Sequence, residues 1–216
     1  MQFDSWEPIY REILEDFGFS RERDEEAAEI LSRMLSPSGP ILREARARIS
    51  GRDVVICGNA PKLAADIESL QKSARKDDYT FIAADGAAAV LLRAGIVPDI
   101  IVTDLDGPFS EILRAHDLGS LIVVHAHGDN LDALRMYVPH LKRAIGTTQS
   151  RPQENVYNFG GFTDGDRCVF LAKEMGAATI KLIGFDFDDP TVTPRKKKKL
   201  AWARRLIDIA LSQNSR

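Results

Sequence analysis

Short apolar runs alternate with helical stretches between residues 53 and 183, and this alternation constrains the fold more than any other feature. The runs, rich in β-branched residues, cover 54–56, 80–83, 100–102, 121–124, 143–145, 156–157 and 179–183. Continuous apolar strands that alternate with helices are typical of a mainly parallel sheet with helices on both faces. The sequence therefore predicts an α/β fold.

The N-terminal part of the chain carries a helical pattern instead. Trp6, Ile9 and Ile13 recur at the spacing of one helix face, and similar spacing continues further along this part. We expect a helical N-terminal region over residues 1–50, followed by an α/β nucleotide-binding catalytic domain over residues 51–216. The N-terminal helices are also candidates for a homodimer contact.

Composition narrows the classes of partner. The chain has 216 residues, a hydrophobic fraction of 44% and a net charge of −3, which are ordinary values for a globular protein. This balanced charge gives no general reason to expect nucleic acid as a partner. The N-terminus lacks a signal-peptide pattern, and no apolar run approaches the roughly 18 residues of a membrane span. We therefore expect a cytoplasmic protein that binds small molecules, without a membrane partner.

Acidic residues follow several predicted strands, and ligands bind outside the carboxyl ends of strands in such sheets. Asp104 and Asp106 are separated by one residue, so on an extended segment both carboxylates project to the same side. Two close carboxylates repel each other without a cation between them, and their oxygens suit Mg²⁺. With Asp85 and Asp129 at neighbouring strand ends, we predict that Asp104 and Asp106 hold Mg²⁺. Turn formation and helix capping are the alternative explanation.

Two glycine-rich turns lead from predicted strands into helices. Residues 58–61 place backbone N–H groups at a positive helix end, which suits phosphate, and residues 160–166 could hold phosphate or a flat heterocycle. Ordinary turn chemistry is an alternative explanation for both. From these turns and the Asp-Gly turn between them, the predicted nucleotide-binding residues are Gly58, Asn59, Ala60, Asp85, Gly86, Gly161, Thr163 and Asp166.

Histidines and a basic run complete the candidate site. His125 and His127 flank one residue at a strand end, and without a third histidine or cysteine nearby we favour substrate contact over zinc binding. Residues 195–199 place five cations at a helix start, against the helix dipole. A triphosphate would offset that cost, whereas a solvated helix start is the alternative. Lys197 is the lysine of this run that we expect to contact phosphate.

Several segments, taken together and in their order along the chain, resemble the archaeal 6-hydroxymethyl-7,8-dihydropterin pyrophosphokinases. They are GNAP, AADGAAAVLLRAGIVPDIIVTDLDG, HAHGDN, GFTDGDRCVFLAKEMGA, IGFDF and the terminal KKKKLAWARRLI. That family is related to thiamin pyrophosphokinase, whose aspartate-containing blocks occur in the same order. The resemblance implies Mg²⁺-dependent transfer of pyrophosphate from ATP to the dihydropterin hydroxymethyl group, with release of AMP. The product would feed the synthesis of tetrahydromethanopterin or folate-type coenzymes.

The thiamin enzyme's pattern also suggests residue roles. By that pattern Asp104 and Asp106 look like metal ligands. The last block has fewer acids here, which leaves Asp129 and Asp132 as alternatives for a third carboxylate and argues against thiamin as the acceptor. Attack by an alcohol on phosphorus needs charge neutralisation and alignment, and a nearby group to accept the proton. Asp129 or His127 is the expected proton acceptor.

Other functions share some of these motifs. A haloacid dehalogenase-type phosphatase carries an Asp-x-Asp-Gly nucleophile motif, which residues 104–107 imitate. Against it, Pro108 replaces the usual threonine, and two ligand-like strand ends precede a motif that normally opens that fold. Thiamin pyrophosphokinase and a non-catalytic nucleotide-binding domain are further alternatives. ATP consumption with AMP release separates these classes, because the phosphatase needs no ATP and the binding domain yields no AMP.

Overall fold

The computed structural model describes residues 1–73 and 78–212, and within them contains one seven-stranded parallel sheet and nine α-helices. The strands are β1 (Asp53–Cys57), β2 (Tyr79–Ala84), β3 (Ile100–Thr103), β4 (Leu121–Ala126), β5 (Ala144–Thr148), β6 (Val156–Tyr157) and β7 (Thr179–Ile183). The helices are α1 (Phe3–Phe17), α2 (Arg21–Met34), α3 (Gly39–Ile49), α4 (Leu63–Ser73), α5 (Ala87–Arg93), α6 (Phe109–Asp117), α7 (Leu131–Tyr137), α8 (Asp164–Glu174) and α9 (Pro194–Ser212). The predicted α/β class and its helical N-terminus are confirmed.

The order of the strands creates a crevice at one place in the sheet. That order is β6-β5-β4-β3-β2-β1-β7, and every pair of neighbours is parallel. The chain adds β2 to β6 in one direction and then returns to place β7 on the other side of β1. Helices α4 and α9, which follow β1 and β7, pack on opposite faces of the sheet, so the chain leaves these neighbouring strands in opposite directions. Ligands of open α/β sheets bind at such a switch point.

Alternate strand residues form two apolar layers, one on each face of the sheet. Val54 and Ile56 point into a layer covered by α1, α3, α8 and α9. Val55 and Cys57 point into a layer covered by α2 and α4 to α7. Both cysteines, Cys57 and Cys168, are buried free thiols, as their apolar surroundings in the sequence predict.

The N-terminal helices lie on both faces of the sheet. Trp6 of α1 is fully buried in the first layer, and Leu31 of α2 is fully buried in the second. Helix α1 ends where Gly18 takes a left-handed φ of 67°, and Ser20 caps α2 by accepting a hydrogen bond from the Arg23 amide. The division into residues 1–50 and 51–216 stays a prediction. None of the described helices is both long and apolar enough to cross a membrane.

Candidate functional site

A cavity of about 440 Å³ opens at the carboxyl end of the sheet. The loops after β1, β2, β3, β4 and β7 surround it, together with the starts of α2, α8 and α9. The predicted residues that line it are Gly58, Asn59, Ala60, Asp85, Gly86, Asp104, Asp106, His127, Asp129 and Thr163. Three other predicted residues, Gly161, Asp166 and Lys197, are not among the described residues that form its wall.

A group of three carboxylates lies in this cavity. Asp85, Asp104 and Asp106 each place a carboxylate oxygen within 4.8 Å of the others. The third member is thus Asp85 rather than either alternative from the sequence. Asp129 lines the cavity outside this group, and the Asp132 side chain is 99% exposed. Oxygen donors this close suit a divalent cation such as Mg²⁺.

The two aspartates after β3 converge for a reason other than the predicted one. We expected an extended segment, but β3 ends at Thr103 and Leu105 has a left-handed φ of 67°. The chain therefore turns at Leu105, and the Asp106 amide donates to Asp104 Oδ1 at 3.2 Å. The buried Leu105 side chain, 2% exposed, anchors this turn. The convergence is confirmed, whereas the extended geometry is wrong.

Asp85 reaches the group through a second constrained turn. Its φ of 41° is unusual for a residue with a side chain. Thr103 Oγ1 donates to Asp85 Oδ1 at 2.6 Å and accepts from the Leu105 amide at 2.8 Å. Burial and the negative charge of Asp104 raise the pKa of Asp85, which the Thr103 hydrogen bond only partly offsets. Thr103 therefore fixes both turns that carry the carboxylates.

His127 contacts the carboxylate group from the loop after β4. Its Nε2 lies 3.4 Å from Asp104 Oδ2, and its Nδ1 accepts from the Asp129 amide at 3.3 Å. Nε2 therefore carries the proton and donates it to Asp104. Although burial raises the pKa of Asp104, hydrogen bonds from His127 and Asp106 lower it to about 2. Burial and the Asp104 charge raise the pKa of Asp106 to about 6.

The start of α8 contributes a carboxylate that the sequence analysis did not select. Asp164 lines the cavity, and burial together with the charges of Asp104 and Asp85 raises its pKa well above the ordinary value. Asp166 is instead fully buried and accepts from Thr163, at 2.6 Å from N and 2.9 Å from Oγ1. A threonine followed three residues later by an acid is the pattern of a helix cap. That spacing could have separated the two aspartates.

The glycine-rich turns pack against neighbouring elements. The Gly58 amide donates to Ile183 O and the Ala60 amide to Gly184 O, both at 2.9 Å, so two N–H groups expected to bind phosphate are already bonded to the β7 end. At Gly161, where φ is 96°, a Cβ atom would lie 2.7 Å from Arg167 Cα. Gly161 therefore allows close contact between its loop and α8, and Gly58 allows close contact with the β7 end, where a Cβ atom would lie 2.7 Å from Gly184 O.

A buried arginine lies behind the cavity. Arg167 is 1% exposed, and its Nη2 donates to His125 Nε2 at 3.0 Å. Burial and the Arg167 charge lower the pKa of His125 well below the ordinary value, so His125 is neutral. Burial lowers the pKa of Arg167, and the negative charges of Asp166, Asp164 and Asp104 offset part of this shift. This arginine balances part of the negative charge of the site.

The basic run divides among several contacts. Lys196 and Lys199 line the cavity, and the Lys199 charge lowers the pKa of the nearby Asp106. Lys197 is exposed. Lys198 pairs with Asp16 Oδ1 at 2.7 Å instead. Positions 196, 199, 200 and 203 share one face of α9, so helical periodicity could have identified Lys196 and Lys199.

The N-terminal region also reaches the cavity, which the sequence analysis did not predict. The residues from the α1–α2 turn and the start of α2 that line it are Phe19, Ser20, Arg23 and Asp24. Asp24 Oδ1 accepts from the Gly128 amide at 2.7 Å, next to His127. Rules about strand ends do not cover helices that precede the sheet, so the sequence held no clear signal for this contribution.

Comparisons with known proteins agree with the resemblance seen in the sequence. The family model described as 6-hydroxymethylpterin diphosphokinase MptE-like matches residues 26–191. The chain is similar to proteins from Methanothermobacter thermautotrophicus, Pyrococcus furiosus and Methanocaldococcus jannaschii, each named 6-hydroxymethyl-7,8-dihydropterin pyrophosphokinase. Identity is 43% in each case over 96% of this chain, and the alignments cover 94%, 94% and 95% of the three relatives. These matches span the residues that form the carboxylate group.

Proposed function

The chain belongs to the 6-hydroxymethylpterin diphosphokinase MptE-like family, and from this premise we propose a specific reaction. The chain transfers pyrophosphate from ATP to the hydroxymethyl oxygen of 6-hydroxymethyl-7,8-dihydropterin in a Mg²⁺-dependent reaction. The products are the pterin diphosphate and AMP, for tetrahydromethanopterin or folate-type coenzyme synthesis. The observation that supports this most is the convergence of Asp85, Asp104 and Asp106 inside a cavity of about 440 Å³.

The carboxylate group fits a magnesium ion. Asp85, Asp104 and Asp106 offer hard oxygen donors, and Mg²⁺ typically uses one or two carboxylates together with substrate phosphates. When bound, Mg²⁺ would neutralise and orient the phosphate oxygens. The His127 hydrogen bond keeps Asp104 ionised, because it favours the charged form of that carboxylate. His127 is thereby a positioning residue for the metal site.

Lysines of α9 would neutralise further phosphate charge. Lys196 and Lys199 both line the cavity, and Lys199 is close enough to Asp106 to lower its pKa. Phosphoryl transfer depends mainly on positioning and charge neutralisation, so cations near the carboxylate group would contribute directly. The part of the cavity at the carboxyl ends of β1 and β7, next to these lysines, is the place we propose for the nucleotide.

The transfer itself requires one proton acceptor. The hydroxymethyl oxygen forms a bond to the β-phosphorus, the bond from that phosphorus to the oxygen bridging to the α-phosphorus breaks, and AMP leaves. The hydroxyl proton goes to a group beside the acceptor. Both ring nitrogens of His127 are already engaged. Asp129, an exposed carboxylate that lines the cavity, is therefore our candidate for this base.

No observation at the site favours the alternative functions. The family match includes residues 104–107, the segment that imitates the phosphatase motif. The names of the three relatives refer to a dihydropterin rather than to thiamin. A haloacid dehalogenase-type phosphatase, a thiamin pyrophosphokinase and a non-catalytic nucleotide-binding domain are thus less well supported than pyrophosphate transfer to a pterin.

A nucleotide assay tests the proposal. The purified chain is incubated with ATP and 6-hydroxymethyl-7,8-dihydropterin, with thiamin as a parallel acceptor, in the presence of Mg²⁺ or of a chelator. We expect AMP with the pterin and Mg²⁺ only. AMP with thiamin instead would overturn the acceptor, and equal AMP after chelation would overturn the metal requirement. Absence of AMP with either acceptor would contradict the reaction.

A further inference from the structure

The carboxylate group divides the cavity into two flanks. Asp85 and Asp104 follow β2 and β3, which lie between β1 and β4 in the sheet. On one side, which we call the β7 flank, the wall comes from the loops after β1 and β7 and from the start of α9. On the other, the α2 flank, it comes from the start of α2, the loop after β4 and Gln149. A reaction between two substrates at a central phosphorus fits this arrangement.

The α2 flank contains a buried carboxylate whose hydrogen-bond partners in the described part of the chain are all neutral. Asp24 is 3% exposed yet lines the cavity. Tyr10 Oη and Gln149 Nε2 donate to its Oδ2 at 2.8 and 2.7 Å, and the Gly128 amide donates to its Oδ1 at 2.7 Å. A carboxylate has about four acceptor positions. Among the described residues three donors are bonded to it, so one acceptor position on Oδ1 is available to a ligand.

We propose that the α2 flank binds the heterocyclic ring of the acceptor, and that Asp24 accepts a hydrogen bond from an N–H group of that ring. This inference rests on the proposed function. The aminopyrimidinone edge of a pterin carries such N–H donors, and a buried carboxylate gains most from a donor when water is excluded. Phe19 and Phe162, which follow α1 and β6, also line the cavity, with ring centroids 6.3 Å apart. Arg195 and Lys199 of α9 lie over these two rings at 5.4 and 5.9 Å, so the aromatic surfaces available to a planar ring border both flanks.

Electrostatics favour the ring over the triphosphate in this flank. The Asp24 charge would repel phosphate, whereas the cavity-lining lysines Lys196 and Lys199 both lie on α9. The α2 flank does contain the exposed side chain of Arg23, which leaves triphosphate binding there as the competing outcome. Asp24 also bonds to Gly128, between His127 and Asp129. A ring held by Asp24 thus lies beside the loop that carries the proposed base.

The Asp24→Asn variant tests this assignment by binding rather than by turnover. Calorimetry measures the binding of 6-hydroxymethyl-7,8-dihydropterin in the absence of nucleotide and, separately, the binding of ATP in the absence of pterin. We expect the pterin to bind at least about ten-fold more weakly, as for a lost hydrogen bond to a charged group, with ATP affinity unchanged. Glu26→Gln is the matched control, since it removes an exposed carboxylate from the same helix. Unchanged pterin affinity in a folded variant, or tighter ATP binding, would overturn the proposal.

A second measurement applies if the variant fails to fold, since it disturbs bonds to Tyr10 and Gln149. The wild-type chain is titrated with one pterin analogue that lacks the 2-amino group and another that is methylated at ring N3. We expect at least one to bind about ten-fold more weakly than the parent pterin. Equal binding of both would overturn the role of Asp24. Failure of the proposed function would appear separately, as missing AMP, because binding is measured without turnover.

Discussion

Gly107 lies so close to Asp85 that a Cβ atom at position 107 would be 2.0 Å from Asp85 Oδ2. The carboxylate of Asp85 therefore occupies space that only a glycine leaves free in the loop after β3. Thr103 Oγ1 donates a hydrogen bond to the other oxygen of this carboxylate, Oδ1, at 2.6 Å. The geometry of the carboxylate group thus depends on a missing side chain as well as on the three aspartates.

Substitution of Gly107 by alanine is expected to displace Asp85 without unfolding the chain, because the clash is with one side chain at the cavity. A misplacement of about 1 Å can reduce catalysis by about 100-fold, and we expect a loss of that order in kcat. Steady-state kinetics and a thermal melt measure the two effects. Gly39→Ala is the control, since its Cβ atom would meet nothing closer than Arg43 Nη1 at 3.7 Å. Wild-type turnover in Gly107→Ala would show that Asp85 is dispensable.

Asp106→Asn is expected to reduce turnover by at least about 100-fold, because it removes a ligand charge from the proposed metal site. The variant should remain folded, since Asp106 lines the cavity and lies outside both apolar layers. Thermal stabilisation by Mg²⁺ should also be lost. The comparison is with Asp132→Asn, an equal change at a residue whose side chain is 99% exposed. Similar activities of the two variants would contradict the assignment of the metal ligands.

The pH dependence of stability offers an independent measurement on the same group. The pKa of Asp106 is raised from its usual 3.8 to about 6 by burial and by the Asp104 charge. Between these values the folded state holds a proton that the unfolded state has released, so this contribution to the free energy of unfolding decreases as pH rises. In chelator, the stability of the wild type relative to Asp106→Asn should fall from about pH 4 to about pH 6 and then level off. A difference that is constant with pH would contradict this.

The lysines of α9 are expected to differ in their effect on ATP. Lys199→Met should raise the KM for ATP by about ten-fold or more, because Lys199 lines the cavity near Asp106. Lys197→Met removes the same charge from an exposed position two residues earlier and should have little effect. Kinetics at varied ATP and saturating pterin measure both. Equal changes would mean that the basic run acts only through its overall charge.

The sequence was sufficient for the elements of the sheet but less so for their ends. Apolar runs predicted every strand of the described sheet, although β5 continues to Thr148 because Gly146 interrupted the pattern without interrupting the strand. The convergence of Asp104 and Asp106 followed from their spacing. The spacing did not predict the actual cause of this convergence, which is the left-handed turn at Leu105, because a buried leucine gives no signal for a positive φ.

Contacts between distant residues account for most of what the sequence could not supply. The bond from Gly128 to Asp24 joins residues 104 positions apart, and no local pattern indicates it. The prediction of Lys197 as the phosphate contact, in contrast, overlooked a local pattern. Lys196 and Lys199 share a helix face with Leu200, so the information was present in the periodicity of α9.

The position of α1 and α2 on both faces of the sheet has a consequence for synthesis. Trp6 Nε1 bonds to Gln149 O at 2.8 Å, and Glu12 pairs with Arg205 at 2.6 Å, so α1 depends on partners that are synthesised much later than itself. Until then its apolar face has no completed sheet to cover, and chaperones have a substrate to bind. A nascent or prematurely terminated chain therefore holds an unfinished cavity.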